Sequence, residues 1–301
     1  MQSNEFLTPQ SVVFGSRNPK QTLGFSRGSA RVIASRVRVL FIGDVFGKPG
    51  RVLVANHLPT IRSKFDFVIA NAENSAGGFG MNRESFETLI KAGVNVVTMG
   101  NHVWDNKEIF GLLDDPRVIR PLNFPLGTPG RGWGTFTVGS EKITVVNILG
   151  RLYMNLYEEP FAALEGVLEN QDLGAVFVDF HAEATSEKIC FAAAFDGRVA
   201  AVIGTHTHVP TADTRLLPAG TAFQSDSGMT GPLHSSIGMS LEGAIGKFRT
   251  GLPHKTNVAE GLCVLNAVEL DITDSKVTRI ARYSFFEGDV LGKLEGEVRN
   301  A

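Results

Sequence analysis

Ala200-Ala-Val-Ile-Gly-Thr-His-Thr-His208 is an apolar run that passes through Gly204 and ends in two imidazoles, His206 and His208. In an extended chain that spacing turns both side chains to one face, so both can reach the same metal cluster. Four other apolar runs end in the same way. Residues 37–43 are followed by Asp44, and 67–70 by Asn71, Glu73 and Asn74. Residues 94–99 lead to Gly100, Asn101 and His102, and 175–180 to His181 and Glu183.

Helical patterns alternate with these runs. Residues 50–64 read as a helix that Pro59 kinks or splits. Asn82 reads as an N-cap, Phe86, Leu89 and Ile90 as one helical face, and Gly93 as the stop. Residues 106–113 read as a short helix. Strands alternating with helices predict βαβ units and a largely parallel sheet. Further on, 132–138 and 142–148 flank a Gly-Ser-Glu turn as an antiparallel hairpin. Residues 161–169 read as a helix, and another from Thr185 carries Cys190 and Phe191 inward. Beyond His208 the chain reads as β at 215–217, 262–270 and 276–286. The expected fold class is α/β: one compact domain over residues 37–290, with a mixed β centre and helices outside, then a C-terminal tail at 291–301. Residues 1–36 stand apart, with Arg17, Lys20, Arg27, Arg31 and Arg36 against Glu5 and no periodicity. They read as a disordered tail or an over-extended start, and an Arg- and Ser-rich, acid-poor leader also fits a transit peptide.

Composition narrows the function. The chain has 301 residues, 43% hydrophobic and 20% charged, with a formal net charge of −2. That balance speaks against a stable nucleic-acid complex or a membrane surface, both of which favour a basic chain. No apolar run approaches the ~20 residues that span a bilayer. The two cysteines, Cys190 and Cys263, lie far apart and outside any Cys-x-x-Cys pair. A reduced, cytoplasmic protein with buried thiols is expected, with no thiolate zinc site.

Ligands bind outside the carboxyl ends of strands in open α/β sheets. A single polar residue at a strand end is usually a turn former or cap. Here all five ends carry oxygen or imidazole donors, and four of the seven histidines sit among them. Asp, Glu, Asn and His without Cys suit Fe, Mn, Zn or Co. So many donors exceed one tetrahedral site and suit two ions roughly 3.5–4 Å apart, bridged by Glu73 or Asp44. Other motifs fit poorly. Residues 43–50 lack both the Gly-x-Gly-x-x-Gly pattern and the Walker ending, and no Gly-x-Ser-x-Gly elbow occurs. Ala76-Gly-Gly-Phe-Gly80 reads equally as a weak phosphate-approach loop or as a plain flexible loop. His57, His234 and His254 read as structural or surface residues.

In order along the chain stand Gly43-Asp44-Val-Phe-Gly-Lys-Pro-Gly-Arg51, Asn71-Ala-Glu73-Asn74, Gly100-Asn101-His102-Val-Trp-Asp105, His181-Ala-Glu183-Ala-Thr-Ser-Glu-Lys188, Gly204-Thr-His206-Thr-His208-Val-Pro210 and Asp226-Ser-Gly-Met-Thr-Gly-Pro232. This set resembles the calcineurin-like metallophosphoesterases, specifically their YmdB-like branch, from Val37 to about Phe286. The general superfamily pattern has a histidine where Phe46 stands and a second aspartate motif where Asn71-Ala-Glu73-Asn74 stands; the branch shares both departures. The resemblance implies central mixed sheets packed as a β-sandwich and flanked by helices in αββα layers. It implies one metal on Asp44, Glu73, Asn74 and His208, and another on Glu73, Asn101, His181 and His206. His102 is then the general acid, a task suited to imidazole, which exchanges protons near neutrality. In the wider superfamily an acidic residue directly after this histidine orients it; here Val103 and Trp104 intervene, so Asp105 or a backbone carbonyl is expected to take that part, with Glu183 a candidate support outside the ligands.

The resemblance also implies the activity: a binuclear phosphodiesterase opening 2′,3′-cyclic nucleotides such as 2′,3′-cyclic AMP to nucleoside monophosphates, by attack of a metal-bridging hydroxide. Fe or Mn is the expected metal pair, with Zn, Mg or Co as alternatives. Tyr153 and Tyr157 are candidates to stack a base. The rival readings are a phosphomonoesterase or nucleotidase on the same metals, and a non-catalytic protein that senses metal and nucleotide; His102 has no use in the latter. The expected partner is a small phosphodiester, with a homo-oligomer left open.

Overall fold

The computed structural model describes residues 12–14, 36–155, 157–289 and 292–299. Strands Val37–Ile42, Phe67–Asn71, Val96–Thr98 and Val118–Ile119 run parallel, side by side. Cys263–Thr273 pairs antiparallel with Val37–Ile42 and extends this first sheet through Lys276–Phe286 to Lys293–Arg299. The second sheet has the order Val12–Phe14, Trp133–Val138, Glu141–Leu149, Ala175–His181, Ala201–Thr205, Ala222–Gln224, Arg215–Leu216. The expected hairpin is its antiparallel pair Trp133–Val138 and Glu141–Leu149. Glu141–Leu149, Ala175–His181, Ala201–Thr205 and Ala222–Gln224 lie parallel.

Alternation along the strands builds the layers. In Val37–Ile42, Val39 and Phe41 face the other sheet, while Leu40 and Ile42 face helices Gly47–Ile61 and Arg83–Ala92. In Ala175–His181, Phe177 faces inward between the sheets, and Val176, Val178 and Phe180 meet helices Pro160–Leu168 and Thr185–Ala194. Phe41 and Phe177 join the sheets with ring centroids 5.0 Å apart. Truncating either ring to Ala costs about 3–5 kcal/mol. The expected αββα layering is therefore the fold.

Asn82 caps Arg83–Ala92 by accepting from Ser85 N, and Gly93 ends it at φ 114°. Pro59 lies in the last turn of Gly47–Ile61 without splitting it, and a 3₁₀ turn, Arg62–Lys64, follows. The short helix expected at 106–113 is a 3₁₀ turn, Lys107–Gly111. A helix at Leu241–Thr250 has no counterpart in the sequence reading, because its apolar Leu241, Ile245 and Phe248 face outward. Cys190 is exposed, contrary to expectation, because the Phe191 face of its helix is the one that packs. Cys263 is buried as expected. Residues 293–299, read as tail, form the edge strand Lys293–Arg299. Of the segment 1–36, Val12–Phe14 pairs parallel with the hairpin strand Trp133–Val138, and nearly all the rest lies outside the described residues. Among the described residues no helix is long and apolar enough to cross a membrane.

Candidate metal centre

Four strands that line the gap between the sheets change from apolar to polar toward their carboxyl ends. Asn71, Thr98, Asp179 and Thr205 stand two residues beyond Ile69, Val96, Phe177 and Ile203, on the same face, and all four are fully buried. They satisfy one another. Asp179 Oδ2 accepts from Thr98 Oγ1 at 2.5 Å and Asn71 Nδ2 at 3.0 Å, and its Oδ1 accepts from Thr205 Oγ1 at 2.6 Å. Burial pushes the Asp179 carboxyl up to about 6, against the lowering pull of His181 and these hydroxyls. This polar floor carries the histidines.

Three imidazoles each have one nitrogen committed to an outside partner, which turns the other inward. Thr205 has spent its hydroxyl proton on Asp179, so it accepts from His181 Nδ1 at 2.9 Å. The carbonyl of Ile237 can only accept, so His208 Nδ1 donates to it at 2.8 Å. Glu183 Oε2 takes His206 Nε2 at 3.1 Å. The inward atoms converge. His181 Nε2 lies 3.0 Å from Asn101 Oδ1, 3.0 Å from Glu73 Oε1 and 3.1 Å from His206 Nδ1. His208 Nε2 lies 3.2 Å from Asn74 Oδ1 and 3.7 Å from Asp44 Oδ1. Two groups of donors result, Glu73 with His181 and His206, and Asp44 and Glu73 with His208; within each the donors lie inside 4.8 Å.

These contacts test whether a metal fits. Ligands at about 2.1 Å from one ion and at right angles stand roughly 3.0 Å apart, the spacing around His181. Lone pairs facing lone pairs repel unless a cation lies between them. Asp44 Oδ1 is fully buried with no hydrogen-bond partner, and such an orphan is costly. Gly100 leaves this space open: a Cβ there would collide with Glu73 Oε2 and come within 2.5 Å of His181 Nε2. The donor set and its geometry fit divalent ions, with Glu73 common to both groups.

Without a cation, a proton takes its place. Burial would lower His181, but the carboxylates of Glu73, Asp44 and Asp179 push it up to about 9. Burial would raise Glu73, but His181 holds it down to about 2. Burial, reinforced by the His181 charge, lowers His206 to about 3. Burial raises Asp44.

The loop carrying His206 and His208 corrects the strand-based reading of their spacing. The strand ends at Thr205, and both histidines adopt positive φ, 95° and 67°. Such backbone costs on the order of 1–3 kcal/mol per residue and persists only when neighbours over-determine it. Here Asp226 Oδ2 accepts from Thr207 N and Thr207 Oγ1, and Lys188 Nζ donates to Asp226 Oδ2 at 2.9 Å and to Thr205 O at 2.8 Å. The twisted loop sends one histidine to each donor group.

His102 stays out of the ligand groups. Its backbone N donates to Glu73 Oε2 at 3.0 Å, and its Nδ1 meets Asp105 Oδ2 at 2.8 Å. Of the two orienting partners expected, the carboxylate is the one in reach. Asn71 also lies outside the cluster, occupied with Asp179 and Met99 O. His57 pairs with Tyr283 OH far along the chain, a structural role as expected. Sequence reasoning missed Asp179, Thr205 and Lys188. The signal for Asp179 was present, since an acid inside Ala-Val-Phe-Val-Asp-Phe-His interrupts an otherwise buried strand.

Two stacked mixed sheets with helices outside, carrying this Asp, Glu, Asn and His set at their strand ends, define a metallophosphoesterase. A profile of the family described as YmdB-like protein matches residues 40–283. The 2′,3′-cyclic-nucleotide 2′-phosphodiesterase of Bacillus subtilis (strain 168) is 44% identical over 264 residues, covering 83% of this chain and 100% of that protein. The crystal structure of a hypothetical protein from Thermus thermophilus superposes with TM-score 0.82 at 47% identity, over 83% of this chain and 99% of that one. A novel phosphatase from Mycoplasma pneumoniae superposes with TM-score 0.81 at 36% identity, over 86% and 96%. The chain belongs to the YmdB-like family.

Proposed function

We propose that this protein hydrolyses 2′,3′-cyclic nucleotides such as 2′,3′-cyclic AMP at a centre of two divalent ions, Mn or Fe. Asp44, Glu73, Asn74 and His208 hold one ion, and Glu73, Asn101, His181 and His206 the other. Bound there, the ions supply the activated water and the positive charge that a phosphodiester substrate requires. The observation that carries this reading is the convergence of three oriented imidazoles on two donor groups that share Glu73.

The chain's own residues do the rest. Asp105 keeps a proton on His102 Nδ1, so Nε2 is the atom that delivers a proton to the departing ester oxygen. The link from His102 N to Glu73 Oε2 fixes that acid relative to the shared carboxylate. Glu183 and Thr205 hold His206 and His181 in the tautomers that ligation needs.

The test is hydrolysis of bis-p-nitrophenyl phosphate and 2′,3′-cyclic AMP by purified protein with Mn²⁺, then with chelator. The expected result is turnover only with metal, and a fall of at least 10²-fold in His102→Ala, the scale of general acid catalysis, and in Asp44→Asn. Undiminished rates in both variants would sink the assignment. A panel of phosphate monoesters beside these diesters separates a diesterase from a nucleotidase.

A further inference from the structure

We infer that Phe79 is the surface on which the substrate's nucleobase stacks, an inference that rests on the cyclic-nucleotide reading above. The Phe79 ring adjoins the proposed acid, with centroids 4.9 Å apart and planes at 66° to the His102 ring. It is 47% exposed, whereas Phe46, the aromatic against His208, is only 3% exposed. Phe79 is thus an open aromatic ring in direct contact with a residue of the site.

Its loop is held in register with the metal ligands. Asn74, whose Oδ1 faces His208, uses its Nδ2 to donate to Gly78 O at 3.0 Å. Gly78 N donates back to Asn74 O, and Ala76 N donates to Gly80 O. Gly80 sits at φ 71° against Asn106, where a Cβ would come within 2.7 Å of the Asn106 nitrogen. The weak glycine pattern in Ala76-Gly-Gly-Phe-Gly80 therefore presents a side chain rather than a bare backbone.

Substrate chemistry explains the placement. In a 2′,3′-cyclic nucleotide the reacting oxygens sit on adjacent ribose carbons, and the base hangs from the carbon beside them. A base is therefore only a few bonds from whichever oxygen His102 serves, within reach of a ring packed on His102. The tyrosines that the sequence suggested for this role fit less well. Tyr157 packs against Phe124 with centroids 4.6 Å apart and borders the core. Tyr153 is 84% exposed at φ 64° on the loop after Glu141–Leu149.

The test measures binding by calorimetry on Mn²⁺-loaded protein, comparing adenosine 3′-monophosphate with base-free glycerol 2-phosphate. Phe79→Ala should weaken the nucleotide roughly ten- to a hundredfold, the scale of base–aromatic stacking. It should leave glycerol 2-phosphate within about twofold, and Phe79→Trp should restore nucleotide binding. Equal weakening of both ligands by Phe79→Ala and Phe79→Leu, or no weakening of either, overturns the inference. Turnover of 2′,3′-cyclic AMP by the unaltered protein is read separately. Its absence alongside base-dependent binding sinks the enzymatic reading and leaves the platform standing; turnover with base-indifferent binding does the reverse.

Discussion

Lys188→Met tests how the twisted histidine loop is held. Lys188 is 1% exposed, and its ammonium bridges Asp226 Oδ2 and Thr205 O. Methionine fills the same volume but strands a buried carboxylate, and breaking a buried pair from one side costs about 3–5 kcal/mol. Asp226 keeps three donors, Thr207 N, Thr207 Oγ1 and Gly228 N, which places the cost near the lower end. At roughly 2–4 °C per kcal/mol for a domain of this size, the melting temperature of metal-free protein should fall by about 6–12 °C. Thermal denaturation followed by circular dichroism reads this directly. Adding Asp226→Asn removes the stranded charge, so the double variant should recover about half the loss or more. The mechanism is refuted by a shift below about 2 °C in Lys188→Met, or by a double variant that loses as much as the two single losses added together.

Two further outcomes follow from the same geometry. Gly100→Ala puts a methyl group against Glu73 Oε2 and His181 Nε2, so Mn²⁺ affinity should drop by about 100-fold or more, with little change in the circular dichroism of the metal-free fold; unchanged affinity contradicts it. Metal uptake should also depend on pH with a definite sign. His181 in the metal-free protein titrates at about 9, whereas His206 at about 3 and Glu73 at about 2 are already deprotonated near neutrality. The ion must displace the His181 proton, so apparent affinity should fall up to tenfold per unit as pH drops below about 9. Calorimetry at pH 7.5 in two buffers of different ionisation enthalpy should count at least about one proton released, and a count near zero contradicts the scheme.

The strand ends were legible because two simple signals coincide there. Apolar runs such as 37–42 and 175–180 stop at donors, and a parallel sheet places all its strand carboxyl ends along one edge. That rule groups Asp44, Glu73 and Asn101 at the edge of the first sheet and His181 with the 206–208 pair at the edge of the second; the packing of the two sheets, which no local signal records, brings the two edges together. The layering was legible too, since Val39 and Phe41 alternate with Leu40 and Ile42. The manner in which His206 and His208 arrive was not. An extended spacing predicts one shared face, whereas positive φ at both histidines sends them to different donor groups. Non-glycine left-handed backbone leaves no mark in composition and is sustained by tertiary partners, here Lys188 and Asp226. Phe79 was hidden for a related reason: one aromatic among loop glycines shows neither its exposure nor the histidine it will touch. Leu241–Thr250 has helical apolar spacing, but that face points outward, so burial could not support the pattern.

Two ions that share Glu73, with one of the paired histidines on each, fix the metal stoichiometry of the chain and of its variants. The most direct test is metal content by mass spectrometry after Mn²⁺ loading and desalting. Two equivalents per chain are expected in the unaltered protein and one in each of His206→Ala and His208→Ala. One equivalent in the unaltered protein, or two retained in both variants, would contradict this arrangement.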